Sequence, residues 1–176
     1  TILKNQIQIL QAIRSISGTV PIHFFLIGDK SKESYIDNQR FVIDNGLGGL
    51  VTILDSQVEV ELFYRRFNVF VLSSINESCP NALLEAMLSR CLCVVSEGAN
   101  SDHFITDGIN GLVYNGTQRM LADKLLEAIA IIRNNEHHRM ADKGVEYVIR
   151  NFSFDSMVMA YSDIYQNMLS GTAYSE

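Results

Sequence analysis

The feature that most constrains this chain is an alternation of short, uninterrupted apolar runs with helix-period segments. Runs at residues 22–27, 50–54, 69–72, 92–95 and 111–114 each stop at turn residues such as Gly28-Asp29 and follow Asp107-Gly108. They are continuous in hydrophobicity, as strands covered on both faces require. Between them, Leu3, Ile7, Leu10 and Ile13 form a helical stripe, and residues 33–45, 58–66 and 80–90 fill the crossovers. Asn45-Gly46 marks a helix C-terminus. Strand–helix alternation predicts an α/β fold: a Rossmann-like, doubly wound parallel sheet. After residue 117 the pattern is wholly helical, near 117–133, 135–150 and 155–169. The expected organisation is one domain over 1–176, an α/β part to residue 134 and a helical cover over 135–170. A doubly wound domain opens with a strand, and here a helix comes first. The expectation is therefore that a first strand, and a further N-terminal domain, lie outside this chain.

A net charge of −6 argues against a nucleic-acid binder, which would carry a basic stripe. It leaves room for a small anionic ligand, which needs only local positive potential. No apolar run reaches the roughly 20 residues that span a bilayer. Cys79, Cys91 and Cys93 are too few for a disulfide framework or a zinc cage. They suit a reducing, cytoplasmic setting, with Cys91 and Cys93 in the core.

Ligands of open α/β sheets bind beyond the carboxyl ends of the strands, so the segment after the 69–72 run is the first place to look. It reads Ser73-Ser74-Ile75-Asn76-Glu77-Ser78-Cys79-Pro80-Asn81-Ala82-Leu83-Leu84-Glu85-Ala86-Met87. Pro80 suits a first helical turn, leaving the N–H groups of Asn81 and Ala82 free to face an anion. Glu85 falls about a turn and a half inside the helix, and its side chain leans back toward the loop holding Glu77. Ala82, Glu85, Ala86 and Ser89 would form a small-residue face, with Leu84, Met87 and Leu88 packed the other way. An ionised carboxylate accepts two hydroxyls of a vicinal diol. Spacing alone fits equally a loop charge and an exposed helix residue.

The segment resembles the E-x7-E signature of the group 1 glycosyltransferases, retaining enzymes of the GT-B fold. The resemblance extends along the chain: Lys4-Asn5, the strand end Phe25-Leu26-Ile27-Gly28, Val94-Val95-Ser96, Ile105-Thr106-Asp107-Gly108-Ile109-Asn110-Gly111, and Phe152-Ser153 with Tyr161 and Tyr165. It implies a donor-binding C-terminal domain, one half of a GT-B enzyme, in bacterial polysaccharide or glycoconjugate synthesis. Glu77 would hold hydroxyls of the donor sugar and Glu85 the ribose hydroxyls. Lys4 would neutralise the diphosphate, with Glu77 and Lys4 the catalytic pair. Ser78, Pro80, Asn81 and Ala82 would line the sugar and phosphate, Gly28 would admit close backbone approach, and Leu54 and Asp55 would meet the base. The donor would be a UDP- or GDP-sugar, with no metal required. The acceptor, a glycan or lipid-linked sugar, would sit on the other domain, which could also bring the enzyme to the inner face of a membrane.

Two departures stand out. Ser78 replaces the usual Gly after the first Glu, and Ser89-Arg90-Cys91-Leu92-Cys93 lacks the family's Gly and Pro, putting Arg90 where a tight turn is expected. A GT-B nucleotide-sugar epimerase and a non-catalytic binding domain remain as other readings.

Overall fold

In the computed structural model, residues 4–56 and 59–170 are described; Leu3 of the expected stripe and Val58 of the third crossover lie outside them. The chain runs α1 (Gln6–Ile16), β1 (Phe24–Ile27), α2 (Glu33–Asp44), β2 (Val51–Leu54), α3 (Glu61–Tyr64), β3 (Val69–Leu72), α4 (Asn81–Leu88) and β4 (Leu92–Ser96). A 3-10 turn at Gly98–Asn100 leads to β5 (Leu112–Tyr114), α5 (Gln118–Arg133), α6 (His137–Phe152) and α7 (Phe154–Ser170). Every pairing of these strands is parallel, so the α/β, doubly wound expectation holds.

The sheet is interrupted. β1 pairs with β2, and β3–β4–β5 form a second sheet, with no pairing between β1 and β3 among the described residues. β4 is the strand that behaves as its sequence reads, buried at all five positions. Its alternate side chains enter two cores, Leu92 and Val94 beneath α1 and α5, Cys93 and Val95 against α4. The equally apolar β3 is half-exposed throughout, because one of its edges has no neighbour.

Helix ends follow from backbone chemistry. α2 closes with Gly46 at φ 64°, the Leu47 N–H reaching the Val42 carbonyl (2.9 Å) and the Gly46 N–H that of Ile43 (3.1 Å). This is the paired-bond ending that a left-handed residue permits. α4 ends by the same two bonds, Cys91 to Ala86 and Arg90 to Met87, both 3.0 Å. Here the left-handed residue is Arg90, at φ 62°. The tight turn survives without its glycine, at the steric cost of a Cβ in that region, and Arg90 Nε pairs with Asp142 at 2.9 Å.

The tail departs from expectation. α5 and α6 cover the sheets, but α7 buries none of its residues. Phe154, Met159 and Leu169 stand in solvent, because α7 reaches the domain through α6. Among the described residues, no helix is long and apolar enough to cross a membrane.

Arg90→Gly should raise stability by about 0.5 kcal/mol, the left-handed penalty less glycine's extra unfolded-state entropy and the lost Asp142 pair. Arg90→Ala, which keeps the strained φ and loses the Asp142 pair, should lower it by a few tenths, roughly the worth of an exposed ion pair. Denaturant midpoints of the two variants check this; a destabilised glycine variant would show that the turn carries no strain.

A candidate donor site at the carboxyl ends of the strands

Parallel strands place all their carboxyl ends on one edge, and the expected site residues collect there. The loop after β1 touches the loop after β2, where the Gly28 N–H donates to the Leu54 carbonyl at 3.1 Å. A Cβ on Gly28 would meet only Gln6 Nε2, at 3.9 Å. Among the described residues, nothing demands glycine at this position. Beside it, a small cleft of about 130 Å³ is lined by Lys4, Gly28, Lys32 and Tyr35 among others. Asp55 is already engaged: its carboxylate takes Lys30 Nζ at 2.9 Å and the backbone N–H groups of Lys30 and Ser56. The Lys30 hydrogen bond, with those N–H groups, holds its carboxyl below the usual range.

The segment after β3 is anchored before it reaches α4. Buried Ser73 donates its hydroxyl to the Lys4 carbonyl at 2.8 Å and to that of Asn5 at 3.0 Å. That bond carries the entrance of α1 to the end of β3, although the two are about 70 positions apart in sequence. Lys4 Nζ then donates to Glu77 Oε1, as does Ser74 Oγ at 2.7 Å. Partial burial pushes the Glu77 carboxyl up, but the hydrogen bonds from Lys4 and Ser74 and the Lys4 charge outweigh it, so the group stays below its ordinary value. Glu77 is therefore an ionised, two-donor carboxylate.

The loop carrying Glu77 is braced by the turn after β4. Ser96 Oγ donates to the Ser74 carbonyl (2.6 Å), the Glu77 N–H to the Gly98 carbonyl (3.2 Å), and Ser101 Oγ to the Glu77 carbonyl (2.6 Å). A Cβ on Gly98 would fall 1.9 Å from the Ile75 carbonyl oxygen, so only glycine lets the two loops close. Ser73, Ser74, Ser96, Gly98 and Ser101 were not among the residues expected from sequence. The available signal was the serines at the ends of β3 and β4 and a glycine with no turn of its own to explain it. The Asp107–Gly111 stretch has a structural task too. Asn110 accepts from the Thr106 N–H at 2.7 Å and donates to the Phe104 carbonyl at 3.0 Å, holding the approach to β5.

Pro80 is the N-cap of α4 at φ −78°. Its carbonyl receives the N–H groups of Leu83 and Leu84. The N–H groups of Asn81 and Ala82, the first two of the helix, make no hydrogen bond among the described residues and lie at an exposed mouth. Ser78 is exposed beside them. The faces of α4 differ from expectation. Its buried stripe is Leu83, Ala86 and Met87, and Leu88 is 49% exposed. Ala86 thus belongs to the core face, because the sheet lies under positions 83, 86 and 87 of a 3.6-residue repeat. Glu85 is exposed. It stands near the Tyr64 hydroxyl: burial first, then the Glu85 charge, pushes that phenol up to about 12. Glu77 is thus tied to Lys4 and Ser74, while Glu85 faces the Tyr64 hydroxyl.

His103 is exposed in its loop. The His137 and His138 rings lie 4.0 Å apart. Among the described residues, no group of three or more His, Cys, Asp or Glu side chains is placed to hold a metal ion. Cys91 and Cys93 are buried, as expected, and burial pushes both thiols up, Cys91 to about 11.

The lipopolysaccharide core biosynthesis glycosyltransferase LpsE of Rhizobium meliloti (strain 1021) is 25% identical over 154 residues, covering 87% of this chain and 43% of its own length. The chain spans less than half the length of the curated relatives it matches. Among solved structures, a glycosyltransferase from Rickettsia africae ESF-5 superposes with a TM-score of 0.84 at 18% identity, over 96% of this chain and 45% of that one. Anabaena HepE, solved in complex with UDP and glucose, gives 0.78 at 18% identity, over 97% of this chain and 46% of that one. These structures establish a shared fold. The model of the family described as glycosyl transferases group 1 matches residues 2–130, and the chain belongs to that family.

Proposed function

We propose that this domain is the C-terminal, donor-binding half of a glycosyltransferase and takes a nucleotide diphosphate sugar. The observation that carries the reading is the cluster at the carboxyl edge: Lys4 against Glu77 and Ser74, beside two free N–H groups at the mouth of α4, with Glu85 inside it. A cation and a helix N-terminus suit a diphosphate. Two separate carboxylates suit the two sets of hydroxyls, sugar and ribose, that flank it. Family membership and the UDP present in the Anabaena neighbour support the same assignment.

In this reading the whole enzyme moves the sugar to an acceptor hydroxyl with retention, the acceptor being a glycan or lipid-linked sugar held by a second domain. The glycosidic bond to the diphosphate breaks, and negative charge accumulates on the departing oxygen. Lys4 and the Asn81 and Ala82 N–H groups stabilise it, an effect that grows as the site closes and excludes water. Glu77 orients the sugar through its hydroxyls, and orientation is a large part of a transfer barrier. Before donor binds, Glu77 holds Lys4. The incoming diphosphate must draw the ammonium away or share it, and this releases a carboxylate oxygen for the sugar.

Titration calorimetry with UDP, GDP and ADP tests the assignment. One nucleotide should bind, and Glu85→Ala should weaken it about 10- to 100-fold, the worth of charged hydrogen bonds to a diol. An unaffected Glu85→Ala variant would remove that carboxylate from the site. Glu77→Gln separates the two carboxylates. It frees Lys4, so UDP itself should bind as well or better, while the advantage of the UDP-sugar over UDP shrinks. Equal losses for both ligands would contradict the role given to Glu77. Gly98→Ala should cost about 1–3 kcal/mol of stability through its clash with Ile75. It should also weaken UDP-sugar more than UDP, since the displaced loop carries Glu77. A variant with native melting temperature and native donor affinity would show that the loop is not braced at Gly98.

A further inference from the structure

Asn5 stands where α1 begins, yet it does not cap the helix in the usual way. An N-cap residue has extended backbone and lends its side-chain oxygen to the first free N–H groups. Asn5 is left-handed instead, at φ 46° and ψ 38°, and its side chain makes no capping bond. What the position uses is therefore asparagine's tolerance of the left-handed region, which a Cβ ordinarily penalises. The conformation has a visible result. Extended backbone turns successive residues to opposite sides, whereas here the Lys4 and Asn5 carbonyls both reach the Ser73 hydroxyl, at 2.8 and 3.0 Å. The Asn5 carbonyl also takes the Gln8 N–H at 3.1 Å, the opening bond of α1. Ser73 is buried at the end of β3, so the turn is gripped by the helix on one side and by the sheet on the other. A right-handed Asn5 would continue α1 back onto Lys4 and set the lysine on the helix flank. The left-handed turn breaks that path, and the half-exposed Lys4 side chain ends on Glu77.

We propose that Asn5 is a positioning residue whose left-handed backbone, clamped by the Ser73 hydroxyl, aims the Lys4 ammonium at Glu77. Lysine carries its charge on a long flexible stem, and holding that charge at one point costs conformational entropy. Fixing the direction in which the side chain leaves the backbone removes part of the search. The clamp and the target also belong together: Ser73, which holds the Lys4 backbone, and Glu77, which receives its side chain, lie on the same segment after β3. Under the donor-binding reading, on which this consequence rests, the same aim sets the ammonium where the diphosphate must lie. Asn5 acts there through Lys4 and needs no contact with the ligand.

Carboxyl NMR of Glu77 and calorimetry with UDP test this on the 176-residue chain and its Asn5→Gly, Asn5→Ala, Asn5→Val and Lys4→Ala variants. Partial burial raises the Glu77 carboxyl, and the Lys4 and Ser74 bonds with the Lys4 charge bring it below its ordinary value. Losing the lysine should therefore shift the Glu77 titration upward. Asn5→Gly, which enters the left-handed region freely, should titrate and bind UDP as the unchanged chain does. Asn5→Val, whose branched side chain resists that region, should move Glu77 up toward its position in Lys4→Ala and weaken UDP about 10-fold. Asn5→Ala should fall between them, and it supplies the reading if Asn5→Val does not fold. In a Lys4→Ala background Asn5→Val should cost no further UDP affinity, since one residue acting through another is not additive with it. If Asn5→Val and Asn5→Ala lose only melting temperature, with Glu77 and UDP unchanged, the proposal is overturned and Asn5 is no more than a helix start. An Asn5→Gly variant as impaired as Asn5→Val would overturn it too, as would an undiminished Asn5→Val effect on UDP without Lys4. The two readings separate. Glu77 shifts in the expected order with no UDP binding in any form would keep the positioning role and remove the donor reading. UDP binding with no Glu77 response to any Asn5 variant would do the reverse.

Discussion

A parallel sheet has no hairpins, and that restriction organises everything else in this domain. Each strand must return to the start of the next over a face of the sheet, so helices accumulate on both faces and strands become apolar on both sides. β4 shows the result most completely, with alternate side chains feeding two separate cores. The same restriction sends every strand's carboxyl end to one edge. Loops there lie close to one another, and Gly28, Leu54, Ser73 and Glu77 all follow strand ends at that edge.

Within that edge, polar order is built by short side chains. Ser73, Ser74, Ser96 and Ser101 each hold a specific backbone or carboxylate group. Two of them, Ser73 and Ser74, are buried next to the ion pair they arrange. A hydroxyl can donate and accept within one small volume, so serine fits where two loops press together over Gly98. Lys4 and Glu77 are then set against each other before any ligand arrives. A long, entropically costly side chain is thus held partly in place, and a ligand competing for it exchanges one charged partner for another.

Much of the fold was legible in the sequence. Among the described residues, the five strands and seven helices fall on segments whose periodicity and punctuation mark them, most ends displaced by a residue or two, while α3 covers only Glu61–Tyr64 of the 58–66 segment expected. Displacements occur where local signals are weak, as at β1, which begins at Phe24 instead of residue 22 because its first residues have no partner strand. The E-x7-E segment, Pro80 and the free helix mouth were legible too, since Glu77 and Glu85 stand out against their apolar surroundings. The faces of α4 were read less well. Ala86 and Leu88 exchange roles because a helix's rotation about its axis depends on the sheet beneath it, and no eight-residue pattern reports that. The helical tail was read as cover, yet α7 leaves its apolar residues in solvent, since periodicity says that a face is apolar and not what meets it.

The amino-acid sequence by itself determined the class of fold, the parallel connectivity and the chemical types at the carboxyl edge, because these depend on interactions between residues near in sequence. Only the tertiary structure decided that Lys4 binds Glu77, that Gly98 is wedged under Ile75 and that β1 and β3 stay unpaired among the described residues. Those outcomes rest on contacts between segments far apart in the chain. They are set by how helices and strands pack around one another, a competition among all parts of the domain that no local pattern records.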